Sequence, residues 1–231
     1  MKQKLFADPG RFRQFLLETV YPEQAVCRAC GAIVREGCLC DSCREELRRD
    51  GAAFSWSRQE VVNGVQAYSL RAHRGIARQL VIRLKHEAEA CVAEELAALV
   101  WPLPAFLTIP AETVVTWVTM PERRRRERCI DHGYCLADAV ARELGLVCRP
   151  LLARADSRGK TQARLNKVNR VQNLIGVFSP LESIRVPVLL VDDVLTTGTT
   201  ASRCVEALRE GGAREITVLT ITAAGANKGF F

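Results

Sequence analysis

From about residue 59 onward, short apolar runs alternate with segments whose apolar residues recur every three or four positions. The clearest example is the apolar run at 188–191, followed by an amphipathic segment at 201–209 that ends before two glycines. A continuously apolar run is typical of a strand buried on both faces of a parallel sheet, and glycine commonly follows a helix. The alternation predicts an α/β fold with a doubly wound, mostly parallel sheet.

The other predicted elements follow the same two patterns. They are a strand or hairpin at 61–70, helices at 75–85, 90–100 and 130–144, and strands at 114–118, 147–152 and 215–222. Residues 157–173 are polar and basic, which predicts a loop. A further helix is predicted to begin after Asp8 and to stop before Pro22.

Two carboxylates and a Thr/Gly turn stand between the apolar run at 188–191 and the helix that follows it. The residues concerned are Asp192, Asp193, Thr196, Thr197, Gly198, Thr199 and Thr200. Open α/β sheets bind ligands at such strand-to-helix junctions, where backbone N–H groups and hydroxyls can hold an anion. Adjacent carboxylates would repel a wholly anionic ligand, but they would accept hydrogen bonds from sugar hydroxyls. The junction predicts a phosphate-and-ribose site, with turn formation and helix capping as the simpler alternative.

Four of the ten cysteines have the spacing of metal ligands. Cys27 and Cys30 form one Cys-x-x-Cys pair, and Cys40 and Cys43 form another after nine intervening residues. Four thiolates at this spacing predict a tetrahedral zinc site, which would be structural because no coordination position stays open. Few large apolar residues flank them, so metal binding rather than burial would fold this segment. Cys38 is spare, and buried free cysteines are the alternative.

The other cysteines and the histidines show no ligand spacing. Small buried hydrophobic positions are predicted for Cys91, Cys129, Cys135, Cys148 and Cys204. Surface or packing positions are predicted for His73, His86 and His132.

The length and composition suit a small enzyme or enzyme-like protein in two parts. The 231 residues, 48% of them hydrophobic, leave room for an α/β domain at 59–231 and a small module at 1–58 that contains the first helix and the cysteine pairs. Prolines interrupt the longest nearly uncharged run, at 96–113, so no membrane span is predicted. The start lacks the apolar core of a signal peptide, which predicts a cytoplasmic location.

The net charge of +7 is concentrated in one region. Residues 119–170 contain thirteen Lys and Arg against six Asp and Glu, and the rest of the chain is neutral. One basic cluster follows the strand predicted at 114–118, and the other lies in and near the polar loop. The clusters could clamp a pyrophosphate, since guanidinium groups bind phosphate oxygens in pairs, or hold a nucleic-acid backbone. Solvated surface is the simplest alternative.

The junction at 186–202 resembles the phosphoribosyl pyrophosphate loop of type I phosphoribosyltransferases, with its hydrophobic strand, two acidic residues and Thr-Gly-x-Thr turn. With the cysteine pairs, the chain from about residue 21 to 223 resembles the ComF family of competence-associated proteins. The further matching positions are Leu84-Lys85, the segment 120–128, Thr161-Gln162, Arg170 and Asn173. The resemblance implies a structural zinc finger, a phosphoribosyltransferase-like domain that binds phosphoribosyl pyrophosphate with Mg²⁺, and a link to DNA uptake.

Three functions stay open at this point. The first is a phosphoribosyltransferase-like protein linked to natural competence, whose partners could include DNA or the uptake machinery. The second is a salvage enzyme for a base or amine, and the third is a non-catalytic DNA-binding adaptor with a regulatory sugar-phosphate site. The predicted roles are catalysis for Asp192 and Asp193, ligand binding for Thr196, Thr197, Gly198, Thr199 and Thr200, and pyrophosphate or flexible-loop contacts for Lys85, Arg124, Arg126, Arg128, Arg154, Gln162 and Arg170.

Overall fold

The computed structural model describes residues 26–49, 56–62, 64–87, 89–120, 131–154 and 177–224. The strands are β1 (Ser57–Val62), β2 (Val65–Ala72), β3 (Val114–Trp117), β4 (Val147–Cys148), β5 (Leu152–Arg154), β6 (Phe178–Pro180), β7 (Val188–Leu195) and β8 (Ile216–Ala223). The helices are α1 (Asp41–Arg49), α2 (Gly75–Glu87), α3 (Ala90–Ala97), α4 (His132–Leu144) and α5 (Thr199–Glu210), and a 3₁₀ turn follows α3 at Ala98–Val100.

Six strands form one sheet in the order β1-β2-β8-β7-β3-β4. Within this sheet β1 pairs with β2 in antiparallel fashion, and the other neighbouring pairs are parallel. The strands β5 and β6 form a separate antiparallel pair. The predicted α/β class with a mostly parallel sheet is confirmed.

Helices cover both faces of the sheet, and β7 is buried between them. Leu189 and Val191 pack on the face that carries α2, α3 and α4, whereas Val188 and Leu190 pack on the opposite face with α5. All four side chains are almost completely buried. Successive strand residues point to opposite faces, so a strand covered on both sides must be continuously apolar. This explains the run from which the sheet was predicted.

The strand β7 extends further than its apolar run. It continues through the two aspartates to Leu195, so these carboxylates lie in the strand and not in the turn after it. Backbone pairing with β8 sustains this extension, as Asp192 and Leu195 are still in register with Thr220 and Ala223.

The prediction of one strand at 147–152 is wrong. Val147 and Cys148 form β4 beside β3, whereas residues from Leu152 form β5 in the smaller sheet. Pro150 has no N–H for a ladder bond, and the N–H of Leu151 instead donates to Thr116 Oγ1 at 3.2 Å. The chain therefore leaves the main sheet here, and Arg154 ends β5 rather than lying in the polar loop.

The cysteine-rich segment packs on the face that carries α2 and α3. Arg44 in α1 makes a forked contact with Glu95 in α3 at 2.6 to 3.1 Å, and Arg28 contacts Glu89 at 2.7 Å. Arg71 in β2 is buried and donates to carbonyl oxygens in the last turn of α1. These contacts join the segment to the sheet domain, and the division at 58/59 stays a prediction.

The remaining sequence predictions concern the first helix, the polar loop, the other cysteines and a membrane span. The first helix and the polar loop at 157–173 lie outside the described residues. Burial is confirmed for Cys204, whereas Cys91, Cys135 and Cys148 are half-buried and Cys129 lies outside the described residues. In the described part of the chain, we find no helix with the length and apolarity needed to cross a bilayer.

Candidate functional site

The turn between β7 and α5 is shaped around a glycine. Gly198 is buried with a φ of 75°, a conformation that residues with a Cβ rarely adopt. A Cβ at this position would also lie 3.0 Å from Cγ1 of Val61 in β1. The four threonines of the turn, which flank this glycine on both sides, are exposed: Thr196, Thr197, Thr199 and Thr200.

The same turn begins α5 without a capping side chain. The N–H of Ser202 donates to the Gly198 carbonyl at 2.8 Å, and the hydroxyl of Ser202 donates to the Val61 carbonyl at 2.8 Å. The hydroxyls of Thr197 and Thr199 lie 2.9 Å apart above the first turn. Because the first N–H groups of a helix lack intrahelical acceptors, this turn can donate several hydrogen bonds to an anion.

Asp193 is the buried member of the carboxylate pair. Its Oδ1 lies 2.9 Å from Nζ of Lys85 in α2, and its Oδ2 lies 3.5 Å from Nε2 of His132 in α4. Only 9% of its side chain is exposed. Burial alone would raise the pKa of this carboxyl group, but the contacts with His132 and Lys85 outweigh it and hold the pKa below its ordinary value.

Asp192 has a different environment from its neighbour. It is half-buried, and its Oδ1 accepts a hydrogen bond from the N–H of Asp193 at 2.9 Å. Burial, together with repulsion from Asp193, raises the pKa of Asp192 to about 7. Because side chains alternate along β7, Asp192 follows Val188 and Leu190 on the face that carries α5. After burial, its charge contributes to the raised pKa of Cys204 in that helix.

Two further contacts organise the surroundings of Asp193. The Thr222 hydroxyl lies 2.8 Å from Nδ1 of His73 and 3.2 Å from the Asp193 carbonyl. Burial and the charge of Lys85 lower the pKa of His73. The end of β7 is therefore surrounded by polar groups from β8 and α2 as well as α4.

The start of α4 is held by its own capping group. Asp131 accepts hydrogen bonds from the N–H groups of Gly133 and Tyr134, and its other oxygen accepts from the Trp117 indole at 3.1 Å. Gly133 fits closely here, because a Cβ would lie 3.1 Å from the Trp117 ring. These contacts fix the first turn of α4, where His132 lies, beside the carboxyl ends of β3 and β7.

The four predicted zinc ligands come together. The sulfur atoms of Cys27, Cys30, Cys40 and Cys43 all lie within 4.8 Å of one another. The Cys30 and Cys40 sulfurs are 3.7 Å apart, close to the roughly 3.8 Å edge of a tetrahedron with zinc–sulfur bonds of about 2.3 Å. Burial opposes ionisation of Cys27, but backbone N–H groups donate to its sulfur and lower its pKa to about 6, which favours the thiolate that binds metal. The cluster fits a structural zinc ion.

The structure brings together only part of the predicted site. Lys85 contacts Asp193, and about a third of its side chain is exposed; its predicted contact with pyrophosphate stays a prediction. The guanidinium carbon of Arg154 lies 5.2 Å from the centroid of the Phe178 ring. The charge of Arg154 lowers the pKa of Cys204, whereas burial and the charge of Asp192 raise it. The predicted residues Arg124, Arg126, Arg128, Gln162 and Arg170 lie outside the described residues.

Sequence reasoning missed His132, which was assigned to the surface or to packing. The other two histidines lie at least 46 residues before it and form no ligand spacing with it, and a local sequence pattern does not reveal a partner on another element. One signal was present. His132 begins a helix after a strand, so it lies at the carboxyl edge of the sheet, as the two aspartates do.

A comparison with known families finds a domain model that matches part of the chain. The model of the phosphoribosyl transferase domain matches residues 129–230, which include the junction between β7 and α5. The matched part of the chain is therefore similar to phosphoribosyl transferase domains. The narrower resemblance to the ComF family stays a prediction, and no curated protein is significantly similar to the chain.

Several solved structures show a limited similarity to the chain. Glutamine phosphoribosylpyrophosphate amidotransferase from B. subtilis is 22% identical, with a TM-score of 0.39, over 62% of this chain and 26% of that one. The chain thus spans about a quarter of that enzyme's length. Orotate phosphoribosyltransferase from Mycobacterium tuberculosis is 17% identical over 79% of this chain and 82% of that one, with a TM-score of 0.38. Adenine phosphoribosyltransferase from Leishmania donovani is 12% identical over 76% and 93%, with a TM-score of 0.39.

Proposed function

We propose that this protein binds the Mg²⁺ complex of phosphoribosyl pyrophosphate at the carboxyl end of β7 and acts as a phosphoribosyltransferase-like protein. The observation that carries the proposal is the junction itself. There, a carboxylate pair is followed within a few residues by a glycine-centred turn whose exposed hydroxyls and N–H groups start α5. The turn offers hydrogen-bond donors for a phosphate, and the carboxylates beside it offer acceptors for sugar hydroxyls, which together suit a sugar phosphate.

Each part of the ligand has a predicted partner. The turn from Thr196 to Thr200 takes the 5′-phosphate, and the carboxylate pair Asp192 and Asp193 supplies acceptors for the ribose hydroxyls. Positive charge for the pyrophosphate would come from Lys85 and from Arg124, Arg126 and Arg128, the last three of which lie outside the described residues. The Mg²⁺ ion enters as part of this substrate complex.

The corresponding reaction is transfer of the phosphoribosyl group. The bond from ribose C1 to the pyrophosphate oxygen breaks, a bond from C1 to a nitrogen of the acceptor forms, and pyrophosphate leaves with the bonding electrons. Nearby carboxylates favour positive charge developing on the sugar, and cations neutralise the leaving group. The acceptor would be a base or an amine.

The cysteine cluster has a structural part in this proposal. Zinc bound by four sulfurs has no open coordination position for substrate, and its binding energy stabilises the folded segment. The segment packs on α2, which also carries Lys85. The zinc would therefore help to hold one wall of the site.

A direct ligand-binding measurement tests the proposal. We expect phosphoribosyl pyrophosphate with Mg²⁺ to raise the melting temperature, and the double variant Asp192→Asn, Asp193→Asn to lose this rise. The matched control is Asp138→Asn, which removes a carboxylate from an exposed ion pair with Arg142. No rise with the wild-type protein, or an undiminished rise with the double variant, would contradict the proposal. Pyrophosphate release with a panel of bases and amines then distinguishes a salvage enzyme from a binding protein.

The charge distribution favours a second candidate function, binding of DNA, in keeping with a link to competence. The excess positive charge lies in residues 119–170. If these residues hold a phosphate backbone, DNA binding should weaken steeply with salt and show little sequence preference. If they clamp pyrophosphate, changing Arg124, Arg126 and Arg128 to Ala should weaken phosphoribosyl pyrophosphate far more than ribose 5-phosphate. Filter binding across a salt series, beside ligand titration of this triple variant, separates the two.

A further inference from the structure

Two cysteines outside the zinc cluster meet where the cysteine-rich segment packs on the sheet domain. Cys38 lies between the two Cys-x-x-Cys pairs and is 3% exposed, and Cys91 is half-buried near the start of α3. The thiols of these two residues interact, and both side chains belong to one apolar cluster. The four sulfur atoms that converge on the proposed zinc position include neither of them. The thiol pair is therefore separate from the metal site.

An ion pair and a backbone hydrogen bond hold one side of this thiol pair. The N–H of Arg28 donates to the Cys38 carbonyl at 2.7 Å, and the Arg28 side chain contacts Oε2 of Glu89 at 2.7 Å. The Cys91 thiol donates to the same Glu89 oxygen at 3.7 Å. Arg28 and Glu89 thus connect the backbone at Cys38 with the side chain of Cys91.

A second ion pair holds the other side, one helical turn further along α3. Glu95 follows Cys91 by four positions, so the two side chains lie on the same face of α3. Arg44 contacts Glu95 at 2.6 Å and donates to the carbonyl of Leu39, which adjoins Cys38. The backbone at position 38 is therefore held against the face of α3 that carries Cys91.

We propose that Cys38 and Cys91 form a redox-sensitive modification site, at which a disulfide links the cysteine-rich segment to α3. The oxidant is a small-molecule disulfide of the glutathione type. The link adds a covalent attachment to the ion pairs that already join the segment to the sheet domain. The inference goes beyond the proposed function, because it involves neither the phosphoribosyl ligand nor its site.

Thiol–disulfide exchange forms the bond in two steps. The thiolate of Cys91, the more exposed of the two residues, attacks one sulfur of the oxidant, and a small thiol leaves with the bonding electrons. The thiolate of Cys38 then attacks the Cys91 sulfur of this mixed disulfide, and a second small thiol leaves. The protons of the two cysteines end on the two leaving thiols. The protein loses two electrons, and the oxidant gains them.

Burial affects the rate of this exchange and its consequence differently. It raises the pKa of both thiols, which lowers their thiolate fractions and makes the exchange slow. Once formed, the bond closes the loop from residue 38 to residue 91 and restricts the unfolded chain, which stabilises the folded protein. We therefore expect slow oxidation and a higher melting temperature.

A redox titration of the full-length, zinc-loaded protein tests the proposal. The protein is equilibrated in glutathione buffers of increasing oxidised fraction until its thiol content no longer changes, and its zinc content and melting temperature are measured. Free thiols are then blocked with iodoacetamide in denaturant with a chelator, and tryptic peptides are analysed by mass spectrometry. Trypsin places Cys38 in the peptide 36–44 and Cys91 in the peptide 86–123.

Two serine variants accompany the wild-type protein. Cys91→Ser removes one member of the thiol pair without changing a proposed zinc ligand. Cys135→Ser is the matched control, because Cys135 is also half-buried but lies in α4, away from the cysteine-rich segment.

We expect a single cross-link, between the peptides 36–44 and 86–123, with fragment ions that place it at Cys38. The oxidised wild-type protein should keep its zinc and melt several degrees above the reduced protein. Cys135→Ser should behave as wild type does. Cys91→Ser should form no cross-link, and its melting temperature should not rise on oxidation.

Other results would overturn the inference. Absence of the cross-link in the most oxidising buffer would show that the two thiols are only packing residues. Cross-links among the four predicted zinc ligands, with loss of zinc, would show that the metal site is oxidised first. An unchanged melting temperature in cross-linked wild type, or an equal rise in Cys91→Ser, would show that the bond does not hold the segment. The phosphoribosyl ligand enters none of these measurements, so the proposed function is tested separately.

Discussion

Replacing Gly198 with alanine should damage the ligand site by a mechanism that a second glycine can control for. Gly198 and Gly145 have φ angles of 75° and 67°, in the left-handed region. Alanine in this conformation destabilises the folded protein by about 1 to 2 kcal/mol, and the lower entropy of its unfolded chain offsets part of this loss. Gly145 ends α4, and a Cβ there would meet no atom within 4 Å. At Gly198 the Cβ would lie 3.0 Å from Val61, and such crowding typically adds about 1 to 3 kcal/mol.

These costs translate into measurable differences in melting temperature. For a chain of this size about 1 kcal/mol corresponds to roughly 2 to 4 °C, so Gly145→Ala should lower the melting temperature by a few degrees and Gly198→Ala by about twice as much. A ligand at about 100 times its dissociation constant adds about 2.7 kcal/mol. We expect phosphoribosyl pyrophosphate with Mg²⁺ to raise the melting temperature of Gly145→Ala as it does that of wild type, and to raise that of Gly198→Ala much less.

Thermal unfolding of the three proteins with and without ligand provides the comparison. A full ligand-induced rise in Gly198→Ala would show that the backbone at this glycine does not approach the ligand. Equal melting temperatures for the two variants without ligand would show that the hairpin carrying Val61 moves away at no cost. Either result would refute the reasoning from the shape of the turn.

The remaining predictions concern the metal and the pH dependence. Metal analysis should find one zinc per chain. The double variant Cys27→Ser, Cys40→Ser should lose the zinc, and the control variant Cys91→Ser should keep it. A wild-type protein without zinc, or a double variant that retains it, would contradict the ligand assignment. Because the pKa of Asp192 is raised to about 7 in the folded protein, folding takes up a proton below that pH, and stability falls as pH rises through it. Asp192→Asn should therefore exceed wild type in denaturant stability at pH 8, by on the order of 3 kcal/mol, with the difference shrinking toward pH 5. For the control Asp138→Asn, the difference from wild type in free energy of unfolding should stay constant between pH 5 and pH 8. If this difference is also constant for Asp192→Asn, the pKa of Asp192 is not raised.

Local patterns in the sequence were enough to predict the class of fold and two candidate sites. A buried parallel strand must be apolar at consecutive positions, so the run at 188–191 indicated a sheet covered on both faces, which the structure has. Two Cys-x-x-Cys pairs predicted a cluster because ligands of one metal lie close in sequence in such segments, and the four sulfurs do converge. The turn at Gly198 could be predicted because it is formed by residues that are consecutive in sequence.

Other features depended on contacts between distant parts of the chain, and only the tertiary structure decided them. The spacing of residues gave no reason to connect Lys85 or His132 with Asp193, since these side chains meet only after α2 and α4 have packed on the sheet. The same packing makes Asp192 and Asp193 unequal, although they are identical neighbours in sequence. Periodicity along a chain reports which face of an element is buried. It does not report which charged group on another element that face will meet, and here that meeting determines how the two carboxylates differ in charge and exposure.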